Sequence, residues 1–179
     1  MAIVQSLLRR LDAPAHLIGH SYGGLIALRA AALDPARVRS IALYNPVAFG
    51  VLDAEAPADA EHEAFLRSFV DYWGGEGAWL KLRDAARAEL TRVGWIVREG
   101  ARTLSADATR ADSHRSLPFP ALLITGEHSP PAAQRVVARL GDALPRARVE
   151  RIAGAGRMGP LTHGKQLDEL LSAHLASLA

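Results

Sequence analysis

The chain has 179 residues, contains no cysteine, and carries 21 Lys and Arg against 19 Asp and Glu. This length suits one domain with a hydrophobic core, and the lack of cysteine excludes a disulfide scaffold, a thiolate metal site and a cysteine nucleophile. The net charge of +2 comes from scattered residues, and no apolar run approaches the ~20 residues of a membrane helix. We therefore expect a cytoplasmic protein that binds neither nucleic acid nor a membrane.

Short apolar runs bounded by Gly or Pro alternate with longer runs of 3.6-residue periodicity, which is typical of buried parallel strands separated by helices. After an amphipathic first helix, four strands are predicted, over residues 16–20, 38–43, 121–125 and 147–152. The fourth is charged, which suits a strand at the edge of a sheet. Helices are predicted over about 22–33 and from about 164, and a third follows Ser129 as its N-cap, with Pro130 in the first turn.

Residues 52–116 contain no strand-like run and are predicted to form a helical insertion with helices over 78–90 and 93–104. Its aromatic residues are Phe65, Phe69, Tyr72, Trp73, Trp79 and Trp95. We interpret them as the insertion's own core, and the alternative is that they line an apolar acyl pocket. The chain then divides into a first core part (1–51), the insertion, and a second core part (117–179).

One motif in the sequence carries chemistry: residues 19–24 read Gly-His-Ser-Tyr-Gly-Gly, between a predicted strand and a predicted helix. This is the G-x-S-x-G nucleophile elbow in the strand–turn–helix setting that it requires. The tight turn projects the hydroxyl of Ser21 into a cleft, while Gly19 and Gly23 omit side chains that would collide with neighbouring backbone. The N–H of Tyr22 and the helix dipole would stabilise a developing oxyanion. The alternative is a glycine-rich turn with a structural serine.

With this motif, the chain resembles the α/β-hydrolase family over nearly its whole length. GHSYGG is similar to the elbow after the family's fifth strand, and residues 38–46 are similar to its sixth strand. FPALLITGEHSP resembles the seventh strand and its acid loop, RIAGAGRMGPLTH resembles the eighth strand and its histidine loop, and 52–116 resembles the helical cap of small-substrate esterases. The resemblance implies a partial α/β-hydrolase fold: a mostly parallel four-stranded sheet flanked by helices, with a cap. The implied activity is cofactor-free hydrolysis of a small ester-type substrate through Ser21.

The same resemblance shows three departures from the family. Its first four strands would precede residue 1, so we expect an N-terminally truncated unit whose first strand exposes an apolar edge to a second copy or a complementing chain. The family's positions for the triad acid hold Ser129 and Asn45, and its histidine position holds Arg157. Neither Ser nor Asn stabilises an imidazolium as a carboxylate does. Because arginine stays protonated, Arg157 cannot accept a proton from Ser21.

Three ionisable residues lie near these positions without matching them: Glu127, His128 and His163. Each stays open as a substitute for the missing acid or base. Arg157 is interpreted as a surface residue, with anion or carboxylate binding as the alternative. His20 adjoins Ser21 but faces the other way along a strand, so we expect it to pack. No metal-like spacing of His with Asp or Glu is present in the sequence, and no metal or cofactor is expected. Two functions stay open: acyl hydrolysis through Ser21, and a catalytically inactive pseudo-hydrolase that at most binds a small ligand.

Overall fold

The computed structural model describes residues 2–52 and 62–178. Within them, the strands are β1 (Ala15–His20), β2 (Val38–Tyr44), β3 (Ala121–Gly126) and β4 (Ala147–Ile152). The helices are α1 (Ala2–Arg10), α2 (Tyr22–Leu33), α3 (His62–Gly74), α4 (Ala78–Lys81), α5 (Asp84–Ser105), α6 (Pro131–Ala143), α7 (Gly159–Thr162) and α8 (Gly164–Ala176). The strands form one sheet in the order β1-β2-β3-β4, with every neighbouring pair parallel. The predicted strands and the α/β-hydrolase type of sheet are confirmed.

The central strands β2 and β3 are buried on both faces, as is typical of parallel sheets. Ile41 and Leu43 of β2 point to one face and belong to the cluster that includes residues of α2 and α6. Ala42 and Tyr44 point to the other face, where leucines of α8 pack against them. Successive residues of a strand face opposite sides, so the continuous apolar run of β2 serves two layers of helices.

Helices α3, α4 and α5 lie between β2 and β3, within the segment predicted to be a helical insertion. Part of that segment, residues 53–61, lies outside the described residues, and the three-part division of the chain stays a prediction. The two predicted helices over 78–90 and 93–104 are wrong, because α5 is continuous from Asp84 to Ser105. Gly94 sits inside it where Leu66 of α3 packs, and an added Cβ would lie 2.5 Å from the Leu66 side chain. The glycine therefore permits a close helix–helix contact, and the predicted break at Thr91 and Arg92 is an exposed part of one continuous helix.

The prediction of Ser129 as a helix N-cap is also wrong. Helix α6 begins at Pro131 and its N-cap is Pro130, so the serine lies one residue further out. The Oγ of Ser129 instead accepts a hydrogen bond from the N–H of Gly126 at 3.0 Å, within the turn that follows β3. This turn satisfies the serine locally, and proline at the first helical position needs no N–H partner.

The sheet ends at β4 on one side, which confirms the predicted edge strand. In the described part of the chain, β1 pairs with β2 alone, and its Ile18 side chain is 56% exposed. The predicted partner along this edge stays a prediction. No helix within residues 2–52 and 62–178 combines the length and apolar character needed to cross a membrane.

Candidate active site

The carboxyl ends of the four strands meet at one edge of the sheet, because all of them run in parallel. Ser21 follows β1, Asn45 follows β2, and the loops after β3 and β4 lie beside them. Ligands of open α/β sheets bind outside this edge. The topology thus brings Ser21 to Arg157 and Asn45 to Ser129.

Ser21 occupies a strained turn between β1 and α2, as the elbow motif predicts. Its backbone has φ 54° and ψ −118°, a positive-φ conformation outside the allowed regions of non-glycine residues. The turn is held by the Ser21 N–H, which donates to the Tyr44 carbonyl at 3.0 Å, and by the Ser21 carbonyl, which accepts from the N–H of Leu25 at 3.2 Å. Ser21 is 8% exposed and lies at the wall of a cavity. Strain of this kind is typical of functional turns.

The steric reason given for Gly23 is wrong, whereas that for Gly19 is confirmed. A Cβ added to Gly19 would lie 2.6 Å from the carbonyl oxygen of Gly23, closer than real Cβ atoms come. A Cβ added to Gly23 would meet no heavy atom within 4 Å outside its own helix and chain neighbours. Gly24, the next residue, has less space than Gly23, because an added Cβ would lie 3.1 Å from Pro46 Cβ. The close approach of α2 to β1 therefore requires a glycine at position 19, two residues before the serine.

Arg157 is not a surface residue but the hydrogen-bond partner of Ser21. Its Nη2 donates to Ser21 Oγ at 2.9 Å, and its guanidinium carbon lies 4.0 Å from the centre of the Trp73 ring. Burial lowers the pKa of the Arg157 guanidinium, but an arginine still stays protonated at neutral pH. The group beside the serine is consequently a proton donor with no lone pair to accept the hydroxyl proton.

The loop that carries Arg157 is anchored to the ends of β1 and β2. The Nε2 of His20 donates to the Arg157 carbonyl at 3.0 Å, and the hydroxyl of Tyr44 donates to the Gly156 carbonyl at 2.7 Å. The His20 ring also lies edge-on to the Tyr44 ring, with centroids 5.7 Å apart. His20 therefore packs and positions this loop, as expected of a residue facing away from Ser21, and burial lowers its pKa.

The two positions of the family's triad acid contact each other through neutral groups. Asn45 Nδ2 donates to Ser129 Oγ at 2.8 Å, and Thr125 Oγ1 donates to Asn45 Oδ1 at 2.8 Å. All three side chains are buried. A buried polar network is stable when its members satisfy one another. This network supplies no charge to stabilise an imidazolium.

The three nearby ionisable residues lie elsewhere in the loops. Glu127 is exposed, and its Oε2 accepts from the N–H of Gly154 at 2.9 Å, a hydrogen bond that lowers the Glu127 pKa. His128 is also exposed. His163 Nδ1 hydrogen-bonds the Thr162 hydroxyl at 2.8 Å. None of the three is among the described residues that line the cavity next to Ser21.

That cavity has a volume of about 530 Å³ and lies between the sheet edge and the helices of the insertion. Its wall is mostly apolar and includes Phe65, Phe69, Tyr72 and Trp73 of α3. The rings of these four residues also contact one another, so they both pack within the insertion and line the cavity. Trp79 is instead buried away from it, and Trp95 is 60% exposed. Such a volume and lining are typical of small-molecule sites. In residues 2–52 and 62–178, no group of His, Asp and Glu has the geometry of a metal site.

A family model described as "Alpha/beta hydrolase family" matches residues 2–170. The chain belongs to the α/β-hydrolase family. It is 31% identical to a pimeloyl-[acyl-carrier protein] methyl ester esterase of Xanthomonas axonopodis pv. citri, over 92% of this chain and 72% of the esterase. It is also 31% identical to the polyketide synthase ThaQ of Burkholderia thailandensis, of which it spans only 9%.

Solved structures show the same α/β-hydrolase fold. A monoacylglycerol lipase of Paleococcus ferrophilus superposes with a TM-score of 0.61 at 18% identity, covering 99% of this chain and 74% of the lipase. The 2-hydroxy-6-oxo-6-phenylhexa-2,4-dienoate hydrolase of Rhodococcus sp. strain RHA1 gives a TM-score of 0.63 at 18% identity, covering 91% and 64%. At such identities the likeness extends to the fold alone.

Two site residues were misjudged or missed by the sequence analysis. A single arginine in a loop carries no local pattern, so the sequence predicts Arg157 on the surface, even at the family's histidine position. Arg135 of α6 lines the cavity as well, and nothing in the sequence distinguishes it from the other exposed arginines of helices. The signal for Arg157 was its position in the family's histidine loop. No comparable signal exists for Arg135.

Proposed function

We propose that this protein is a slow hydrolase of small acyl esters, with Ser21 as the nucleophile and the N–H of Tyr22 in the oxyanion site. One observation carries the proposal: Ser21 stands on a strained turn, φ 54°, with its hydroxyl at the wall of a 530 Å³ apolar cavity. A structural serine in a loop needs neither the strain nor the cavity. The relatedness to an ester-cleaving enzyme agrees with this chemistry.

In the proposed reaction, Ser21 Oγ attacks the acyl carbon while the hydrocarbon chain of the acyl group lies against the aromatic wall. The N–H of Tyr22 is the first of α2 and has no partner within the helix, so it is available to the carbonyl oxygen as negative charge develops there. The guanidinium of Arg157 adds a positive charge beside the same atoms. Because it cannot act as a base, the serine proton passes to water, and this step limits the rate. The C–O bond to the alcohol then breaks, and the alcohol leaves with a proton from water. A second water attacks the acyl-Ser21 ester, which releases the free acid and restores the serine hydroxyl.

The lack of a base beside Ser21 determines the turnover rate that we expect. In subtilisin, loss of the histidine alone lowers kcat by about 10⁶, and a residual acceleration of roughly 10³–10⁴ over water persists from binding and the oxyanion site. We therefore expect turnover near that residual level. The second candidate, a pseudo-hydrolase that binds a ligand without turnover, is favoured by the hydrogen bond from Arg157 to Ser21.

Labelling with a fluorophosphonate probe tests the nucleophile. We expect slow labelling that is abolished by Ser21→Ala. The matched control is Ser40→Ala, because Ser40 Oγ lies 2.7 Å from His16 Nδ1 yet is buried, 1% exposed, on β2. Labelling that persists in Ser21→Ala, or that is lost in Ser40→Ala, contradicts the proposal.

Restoring the family's residues provides a second test. In the double variant Arg157→His with Ser129→Asp, an imidazole stands beside Ser21 and a carboxylate accepts the hydrogen bonds that Asn45 Nδ2 and the Gly126 N–H now give to Ser129. Hydrolysis of p-nitrophenyl butyrate should rise by at least ~10² in kcat/KM. The single variant Ser129→Asp, which lacks the base, is the control. If the double variant gains nothing and the unaltered protein is not labelled, Ser21 is not a nucleophile.

A further inference from the structure

The cavity next to Ser21 contains a cation without an anionic partner. Arg157 is half-buried, and no carboxylate of residues 2–52 and 62–178 forms an ion pair with it. Its one hydrogen bond to a described side chain goes to the neutral Ser21. A guanidinium has five N–H donors, and a partly buried charge is unfavourable until it is paired. The positive charge of Arg157 is thus not balanced by a carboxylate among the described residues, and a bound anion would balance it.

Trp73 fixes the orientation of that cation. The guanidinium carbon lies 4.0 Å from the centre of the indole ring, within the range of a cation–π contact. The N–H donors of a guanidinium lie in its plane, so a ring over one face leaves the edges free. A carboxylate binds such an edge through two parallel hydrogen bonds.

The groups that surround the guanidinium are donors as well. Ser21 Oγ accepts from Arg157, which leaves the hydroxyl hydrogen to be donated, and Tyr22 begins α2 with an N–H that has no partner in the helix. Arg135 contributes a second positive charge at the wall of the cavity. No Asp or Glu occurs among the described residues that line it. A cluster of donors and cations is suited to an anion.

The rest of the cavity is suited to a hydrocarbon chain. Beyond the donors, its wall consists of apolar side chains from α3, α5 and the segment after β2: Val47, Phe49, Phe65, Phe69, Val97 and Leu104. A ligand that satisfies both parts carries one anionic group at the end of an apolar tail.

We propose that the cavity binds medium-chain carboxylates, with the carboxylate held by Arg157, Ser21 and the N–H of Tyr22 and the tail against the aromatic wall. The inference rests on the proposed function, since the carboxylate takes the place of the ester's acyl group, and it identifies the free acid as the species that the site retains. An acid produced by hydrolysis therefore remains bound and inhibits further turnover.

Isothermal titration calorimetry with octanoate and octanamide, on the full chain at neutral pH, tests this inference. The two ligands share length and tail, but only octanoate is charged. We expect the Kd of octanoate to be at least ~10-fold lower than that of octanamide. Equal affinities, tighter binding of the amide, or no binding of octanoate at millimolar concentration overturn the inference. This ratio comes from the unaltered protein and does not depend on any variant.

Two variants test whether Arg157 is the residue that binds the carboxylate. Arg157→Gln should raise the Kd of octanoate at least ~10-fold and change that of octanamide less than ~3-fold. Arg139→Gln is the matched control, since Arg139 lies on α6 like Arg135 but outside the cavity lining. If Arg157→Gln binds octanoate as tightly as the unaltered protein, or if Arg139→Gln weakens it equally, Arg157 is not the anchor.

The outcomes separate this inference from the proposed function. Tight octanoate binding without fluorophosphonate labelling means that the site binds carboxylates but Ser21 is not a nucleophile. Labelling of Ser21 without any preference for octanoate means that Ser21 reacts but the carboxylate site does not exist.

Discussion

Alanine substitution at the two glycines of the elbow should give opposite results, although the motif treats them alike. A Cβ at position 19 would lie 2.6 Å from the Gly23 carbonyl oxygen and 2.7 Å from Gly24 Cα. These are backbone atoms of the first turn of α2, which cannot move without displacing Ser21. A Cβ at position 23 meets no heavy atom within 4 Å beyond its own helix and neighbours.

The magnitudes follow from these distances. Overpacking against backbone costs typically 1–3 kcal/mol, so we expect Gly19→Ala to lower the free energy of unfolding by about 2–3 kcal/mol. For a chain of this length, each kcal/mol shifts Tm by roughly 2–4 °C, which gives a decrease of about 4–12 °C. Gly23→Ala removes a glycine from a helix without a clash and should raise the free energy of unfolding by up to ~1 kcal/mol.

Thermal and urea unfolding, followed by circular dichroism, compare the two variants with the unaltered protein in one buffer. Fluorophosphonate labelling of the same samples reports whether Ser21 keeps its position. Equal destabilisation by the two substitutions, or an unchanged Tm for Gly19→Ala, would refute the argument that Gly19, and not Gly23, permits the close approach of α2 to β1.

Three further predictions concern stability. Ser129→Ala leaves two buried donors without their acceptor and should lower the free energy of unfolding by about 1–3 kcal/mol in urea titrations. Burial lowers the pKa of His174, so the unfolded chain binds this proton more readily, and Tm should fall as the pH drops from 7.5 to 5.5, less steeply in His174→Gln. Trp79→Ala removes a buried ring and should cost about 3–5 kcal/mol in urea titrations, whereas Trp95→Ala, at an exposed site, should change stability by less than ~0.5 kcal/mol.

Each of these has an outcome that contradicts it. An unchanged free energy of unfolding in Ser129→Ala would mean that the hydrogen-bond network of Asn45, Thr125 and Ser129 does not stabilise the fold. A pH dependence of Tm that is the same in His174→Gln would remove this histidine as its origin. Equal effects at Trp79 and Trp95 would contradict the packing of α4.

The strands could be predicted from the sequence because their signal is local. β2 and β3 consist largely of apolar residues and are closed by Asn45 and by Gly126, so they can be identified without knowing their neighbours. The charged β4 fits the pattern of an edge strand. The insertion was harder to predict, because the polar residues Thr91 and Arg92 look like a break in the apolar periodicity but lie on the exposed side of one continuous helix. The packing of α3 against α5, where Leu66 contacts Gly94, also leaves no local pattern.

The candidate site likewise contains one local feature that the sequence predicts and long-range contacts that it does not. Ser21 was found because the elbow is a motif of adjacent residues, and its strained backbone is a property of that short segment. The contact between Arg157 and Ser21 joins residues 136 positions apart, and the contact between Asn45 and Ser129 joins residues 84 apart. Neither contact leaves a periodicity or a spacing in the sequence.

The sequence by itself determined the parallel strands, the turn that carries Ser21 and the absence of histidine from the position where the family has its base. Only the tertiary structure decided that Arg157 donates to Ser21, lies over the Trp73 ring and lines an apolar cavity. The physical reason is that backbone conformation is set by interactions within a few residues, whereas a charge finds its partner through the register of the sheet, which brings distant loops to one edge.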